Sequence, residues 1–314
     1  MHIPDGFLSS GVAVTTWAVA ALGVAVALRA EQRDPEPMPA GMLGATAAFV
    51  FAAQMINLPV APGTSGHLVG AALAVVLLGP WRALIVMTIV LAVQALLFQD
   101  GGLSALGANI IDMGLGCVLT AYAMVALVTR GRRSPRAHVV AGVLAAFAAT
   151  LVGATLTSIW LGLSGLYPFS GIIPVMLVTH VAIGLLEAAL TGAILVTVVR
   201  WRPDLIKGVY AEGRPGNPVA VVAGIVGMAV GIAAFLSPFT STLPDGLASA
   251  AQRLGFATRA EAAWRAPMPE LVTSFVASAR IATAIAGAIG TLVVVCIAWV
   301  VSRGLHTVRD AAHE

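Results

Sequence analysis

Residues 172–200 read IIPVMLVTHVAIGLLEAALTGAILVTVVR, with only His180, Glu187 and the terminal Arg200 able to carry charge. A membrane-crossing helix needs roughly 20 mostly apolar residues, and this run exceeds that length. Working outward, similar apolar blocks occupy about 10–28, 41–57, 67–79, 82–98, 106–128, 138–162, 219–236 and 278–301. Together they make nine. The block at 67–79 is short and reads as tilted, buried or partly re-entrant.

The composition agrees with these blocks. Of 314 residues, 59% are hydrophobic and 10% charged, with a mean hydropathy of +0.96. Soluble domains carry about 25% charged residues, so this chain cannot cover itself against water. Soluble enzymes, nucleic-acid binders and secreted disulfide scaffolds are excluded. The apolar residues come in blocks rather than alternating, which is the wrong pattern for an outer-membrane barrel. The net charge of +3 reflects the membrane loops, not an affinity for DNA. Cys117 and Cys296 each lie inside an apolar run, so neither a disulfide framework nor a cysteine metal site is suggested. Small residues such as Gly142, Ala145, Ala146, Ala149 and Gly153 let helices pack closely in lipid. The expectation is an all-α polytopic membrane protein of about nine transmembrane helices.

Lys and Arg concentrate in cytoplasmic loops. With the N-terminus outside, 13 of the 17 basic residues fall on the inside, among them Arg82, Arg130, Arg132, Arg133, Arg200 and Lys207. The other four, Arg253, Arg259, Arg265 and Arg280, lie in or beside one long outer loop, where the rule is weak. This predicts the N-terminus outside and the C-terminus in the cytoplasm. A polar, basic, Pro- and Gly-rich stretch at 201–218 reads as a cytoplasmic linker. It divides a seven-helix part, 1–200, from a two-helix part, 219–314, whose helices flank an outer loop at 237–277.

Met1-His2-Ile3-Pro4-Asp5-Gly6 lacks the basic n-region and small-residue cleavage site of a signal peptide. His2 is too large for ordinary methionine removal, so Met1 is expected to keep a free amine on the outer face. Conventional catalysis has no foothold. The one lysine, Lys207, belongs to no phosphate-binding loop, and H-E-x-x-H and G-x-S-x-G are both missing.

Six histidines remain. His138, His306 and His313 fall at cytoplasmic positions and read as solvated surface groups. His2 and His67 are both expected at the outer surface, the latter after the turn-rich Asn57-Leu58-Pro59-Val60-Ala61-Pro62-Gly63-Thr64-Ser65-Gly66. The Met1 amine, the His2 amide nitrogen and His2 Nδ1 can bind one metal together through a five- and a six-membered ring. Planar nitrogen sites of this kind suit Cu(II) or Ni(II). The imidazole of His67 is a candidate for the open corner.

These residues resemble a family. Met1-His2-Ile3-Pro4-Asp5-Gly6-Phe7-Leu8, Asn57-Leu58-Pro59-Val60, Gly63-Thr64-Ser65-Gly66-His67-Leu68, Leu106-Gly107-Ala108-Asn109 and His180 with Glu187 resemble the CbiM/NikM family. These are the substrate-binding components of cobalt and nickel energy-coupling-factor (ECF) transporters, and the likeness covers about residues 1–200. It implies a metal held by the Met1 amine, the His2 amide, the His2 imidazole and the imidazole of His67. Ser237-Pro238-Phe239 and Pro244-Asp245-Gly246-Leu247 resemble the signature of the NikN/PDGLE accessory module, with Ala248 where that name has Glu. The chain thus resembles a fusion of the two components. The resemblance implies Ni(II) or Co(II) as the transported ligand, with no resident cofactor. It also implies a transmembrane coupling (T) subunit and a pair of cytosolic ATPases as partners, in a bacterial or archaeal cytoplasmic membrane. The accessory module leans the choice of metal toward nickel.

Polar residues inside the spans have two readings, because an unpaired ionisable group in the membrane costs several kcal/mol. Asn109 and Asp112 stand one helical turn apart and, with Thr64 and Ser65, are candidates to orient the metal ligands. His180 and Glu187 share a face and read as a structural pair or a proton relay. A relay through Asp112, His180 and Glu187 would suit a self-contained, ion-driven secondary carrier, though no inverted repeat of the kind many carriers show is visible. On the first helix, Ala21 with Ala25 and Gly23 with Ala27 are candidates for packing against a coupling subunit or within the chain.

Overall fold

The computed structural model describes residues 1–34, 40–209, 217–268, 276 and 278–311. The remaining parts of the 201–218 linker and the 237–277 loop, and His313, lie outside the described residues. Every predicted apolar block forms helix. Seven helical stretches are long and apolar enough to cross a membrane: 10–32, 80–98, 106–129, 135–163, 169–201, 218–239 and 279–305. The protein is an all-α, multi-pass membrane protein. Among the described residues the blocks at 41–57 and 67–79 yield shorter helices, α2 (Ala40–Gln54) and α3 (Ala71–Leu78).

In chain order, α1 (Ser10–Gln32) and α2 precede a small antiparallel hairpin, β1 (Leu58–Ala61) and β2 (Thr64–Gly66), with Leu58 opposite Gly66. Next come α3 and α4 (Pro80–Val93). A short α5 (Leu106–Asn109) runs through a wider π turn, Ile110–Gly116, into α6 (Cys117–Thr129). The helices α7 (Pro135–Leu163) and α8 (Phe169–Trp201) complete the first part. The second part holds α9 (Pro218–Gly231), a short helix α10 (Gly246–Leu254) and α11 (Ala279–Ala311).

Local chemistry fixes the ends. Pro80, Pro135 and Pro218 each occupy a first turn, where the missing N–H costs nothing. Ser134, Asn217 and Asp245 cap α7, α9 and α10 through side-chain oxygens. The π turn at Gln94–Phe98 ends α4 beside the cavity described below, a common place for such turns.

The helices are packed by small residues. A side chain at Gly290 of α11 would collide with Phe51 and Phe98 at about 2.5 Å. One at Gly41 would press on Val222 of α9. The two-helix part is therefore locked along α2, and α9 presents most of its surface outward. The N-terminal segment does not hang free. Met1, Ile3 and Phe7 are buried, and Gly102 donates its N–H to the Ile3 carbonyl at 2.8 Å.

Candidate metal centre

His2 lines a cavity of about 110 Å³ together with His67, Gln54, Gln94, Asp100 and Asp245. Asn109 pins the N-terminal segment. Its Oδ1 accepts from the Ile3 N–H at 2.8 Å, and its Nδ2 donates to the Ile3 carbonyl at 3.1 Å. With the Met1 side chain buried, the amine is left facing the Asp245 carboxylate at 2.9 Å.

His2 and His67 stack with ring centroids 5.5 Å apart and 30° between planes. A chain of amides holds His2. Gln54 Nε2 donates to the Val69 carbonyl at 2.6 Å, and Gln94 Nε2 donates to Gln54 Oε1 at 2.7 Å. Gln94 Oε1 is then turned to accept from His2 Nε2 at 3.2 Å. With Nε2 carrying the proton, the lone pair falls on Nδ1, the nitrogen that can close a chelate ring with the backbone amide. Nδ1 lies 3.3 Å from Asp100 Oδ1, a contact that a cation between the two would relieve.

His67 shows the complementary tautomer. Its Nδ1 donates to the Leu68 carbonyl at 3.1 Å, leaving Nε2 as the free donor. Fixing one ring nitrogen to free the other is the usual arrangement of metal-binding histidines. The loop carrying His67 is itself anchored by Glu187, whose two oxygens accept the Val69 and Gly70 N–H groups at 2.6 and 2.9 Å. That carboxylate sits at the start of α3, where unpaired N–H groups favour an anion.

Burial pushes the His2 imidazole below its ordinary pKa, with the N-terminal ammonium adding to the effect and Asp100 opposing it. Burial, the same ammonium and His2 push His67 down to about 4. Both rings therefore offer lone pairs at neutral pH. Burial alone would raise the Asp245 carboxyl, but the Met1 ammonium and the Ala248 N–H hold it well below the usual carboxylate range.

The remaining expected positions divide. Thr64 Oγ1 and Ser249 Oγ share a hydrogen bond at 2.8 Å. Ser65 donates to the Leu243 and Pro244 carbonyls, its hydroxyl reaching Leu243 at 2.7 Å and its N–H reaching Pro244 at 2.9 Å. These two residues fasten the hairpin to the second part of the chain. Asp112 accepts from Thr157 at 2.8 Å and from the Trp160 indole at 2.7 Å. The π turn at 110–116 widens the helix there, so Asn109 serves the N-terminal thread while Asp112 serves α7. His180 Nδ1 donates to the Met176 carbonyl at 2.7 Å. Its Nε2 has no hydrogen-bond partner and packs against Gly246. His180 and Glu187, on one face of α8, thus serve different neighbours.

Sequence reading did not place Gln54, Gln94 or Asp245 in the centre. His2, His67 and Asp245 offer ligand atoms that all lie within 4.8 Å of one another. For Asp245 one signal existed, the Pro244-Asp245-Gly246-Leu247 signature in an outer loop. Gln54 ends α2 and Gln94 opens the π turn after α4, and no sequence motif marks either one.

Fold and site define a class: a multi-pass helical membrane protein whose own N-terminus enters a cluster of groups able to ligate a metal. The chain belongs to the cobalt uptake substrate-specific transmembrane region family, CbiM, matched over residues 2–205, and a PDGLE domain follows over 219–307. It is 30% identical to the fused nickel transport protein NikMN of Rhodobacter capsulatus, spanning 94% of this chain and 95% of that protein. It is 35% identical to the cobalt transport protein CbiM of Geobacter sulfurreducens, spanning 69% of this chain and 65% of that protein. A crystal structure of a transition metal transporter superposes with a TM-score of 0.58 at 30% identity, covering 64% of this chain and 93% of that one.

Proposed function

We propose that this chain captures Ni(II) or Co(II) at its outer face, as the substrate-binding component of an ECF-type importer. The Met1 amine, the His2 amide, His2 Nδ1 and the His67 imidazole hold the ion. The observation that carries this reading is the buried Met1 amine beside two stacked, neutral histidines whose ring nitrogens are sorted by fixed hydrogen bonds. Four nitrogens in this setting suit Ni(II), and Co(II) is the other metal named among the relatives.

Energy comes from outside the chain in this reading, from a transmembrane coupling subunit and a pair of cytosolic ATPases. The first helix supports the contact. Only 17% of its apolar window is buried. Ala27 is buried and Gly23 faces Leu115, whereas Ala21 and Ala25 are exposed on the outward face. The positive-inside count supports an N-terminus outside and a C-terminus in the cytoplasm.

The ion-driven carrier gains no such support. Asp112 and Glu187 are each engaged by two local donors, and among the described residues His180 hydrogen-bonds to neither.

The deciding experiment is equilibrium binding of Ni(II) and Co(II) to the purified protein. It compares the native N-terminus with a version one residue longer and with His67→Ala. Both changes should abolish tight binding. Normal binding by the extended protein would falsify the chelate.

A further inference from the structure

The carboxylate that meets the Met1 amine comes from the other end of the chain, and three features suit it to more than pairing with an ammonium. First, it is held rigidly. Asp245 Oδ1 accepts from the Ala248 N–H at 2.7 Å as the cap of α10, which leaves Oδ2 aimed into the cavity. The preceding residues are tied to the hairpin through Ser65. On the other side Gly246 packs so closely on His180 that a Cβ there would fall 2.6 Å from the ring. A ligand works when its support is fixed in this way.

Second, distance permits it. The carboxylate oxygen of Asp245 and one nitrogen of each of His2 and His67 all lie within 4.8 Å of one another. Two donors about 2.1 Å from a common ion stand roughly 3 to 4.2 Å apart, so small shifts bring all three onto one centre. The cavity of about 110 Å³ leaves room for the ion. Third, charge requires compensation. A divalent ion among nitrogens, even with one ionised amide, leaves a positive centre away from bulk water, and such a charge needs a fixed partner.

We infer that Asp245 is a direct ligand of the transported ion, a fifth, oxygen donor lying off the plane of the four nitrogens and delivered by the fused PDGLE domain. The metal centre is then shared between the two parts of the chain, and the outer loop of the second part completes it. This rests on the nitrogen chelate proposed above, and the test separates the two.

The test is X-ray absorption at the nickel edge on purified full-length protein loaded with Ni(II), with Asp245→Ser beside it. Serine keeps the α10 cap, because its hydroxyl can accept the Ala248 N–H, but it does not bring a carboxylate to the ion. The native protein should show a fifth light-atom neighbour and lack the pre-edge feature of planar nickel. In Asp245→Ser that feature should appear, and affinity should fall by about 10- to 100-fold. A planar spectrum in the native protein, or identical spectra in the two, overturns the inference. A planar native spectrum overturns the inference even if the variant does not fold. His67→Ala and an N-terminally extended protein serve as the other arm. If they keep native binding and spectrum, the chelate itself falls. If they lose the metal while Asp245→Ser keeps the native spectrum, the chelate stands and only Asp245 is removed from it.

Discussion

The Met1 amine and the Asp245 carboxylate, 244 positions apart in the sequence, meet at 2.9 Å. The amine is buried, so anything that moves it leaves a partly buried carboxylate without its partner.

One residue added before Met1 should therefore cost stability as well as metal. The loss expected from an unpartnered charged group is about 1–3 kcal/mol, read as a lower melting temperature in detergent. Metal binding should be lost in the same protein, since the Met1 nitrogen becomes a peptide amide and no longer offers an amine lone pair. Unchanged melting would show that the amine is not held as described.

Gln94 touches His2 but is not a ligand in this reading. Replacing it by alanine removes the acceptor that keeps the proton on His2 Nε2. Affinity for Ni(II) should drop by about 10- to 100-fold, with little change in helicity. Gln54→Leu should act in the same direction more weakly, because it works through Gln94. A metal titration of both variants checks the order.

Glu187 anchors the loop of His67 through two backbone N–H groups. Glu187→Gln can accept with only one oxygen and sets an amide N–H₂ against the other donor. Stability should fall by about 1–3 kcal/mol, and metal affinity should fall with it. Were Glu187 a proton relay instead, uptake would lose its dependence on an ion gradient while the fold kept its stability.

His67 stays neutral in the folded protein down to about pH 4, against an ordinary value of 6.5. Between those values the unfolded chain takes up a proton that the folded chain does not. Stability should fall as pH drops through that window and be insensitive to His67 above it. His67 is thus a competent donor throughout the neutral range. The pH dependence of metal binding should come from the displaced protons of the Met1 ammonium and the His2 amide, about two per ion. A proton count on Ni(II) addition near pH 7 measures this, and a count near zero sinks the amide ligand.

Much of this was legible in the sequence. The apolar blocks needed only local composition, because a span is defined by its own run of side chains. The chelate proposed at Met1 and His2 could be read there because its donors are adjacent and their ring sizes follow from covalent geometry. His67 was reachable through its turn-rich setting. Asn109 was read as a supporting residue near the ligands, and in the fold it clamps Ile3 by two hydrogen bonds. Its neighbour one turn on, Asp112, is carried toward α7 by a π turn that no apolar pattern signals.

Tertiary structure alone decided the rest. Which nitrogen of each histidine is free depends on Gln94, Gln54 and the Leu68 carbonyl, partners set by how α2, α4 and the hairpin pack. Glu187 became an anchor for the His67 loop rather than a partner of His180 because α3 begins beside α8. Asp245 meets the N-terminus because the second part of the chain docks along α2 and brings the start of α10 to the Met1 amine. Spans and chelate rings are short-range and written in consecutive residues. The tautomers, the anchor and the carboxylate arise from contacts between distant segments, which exist only once the helices have packed.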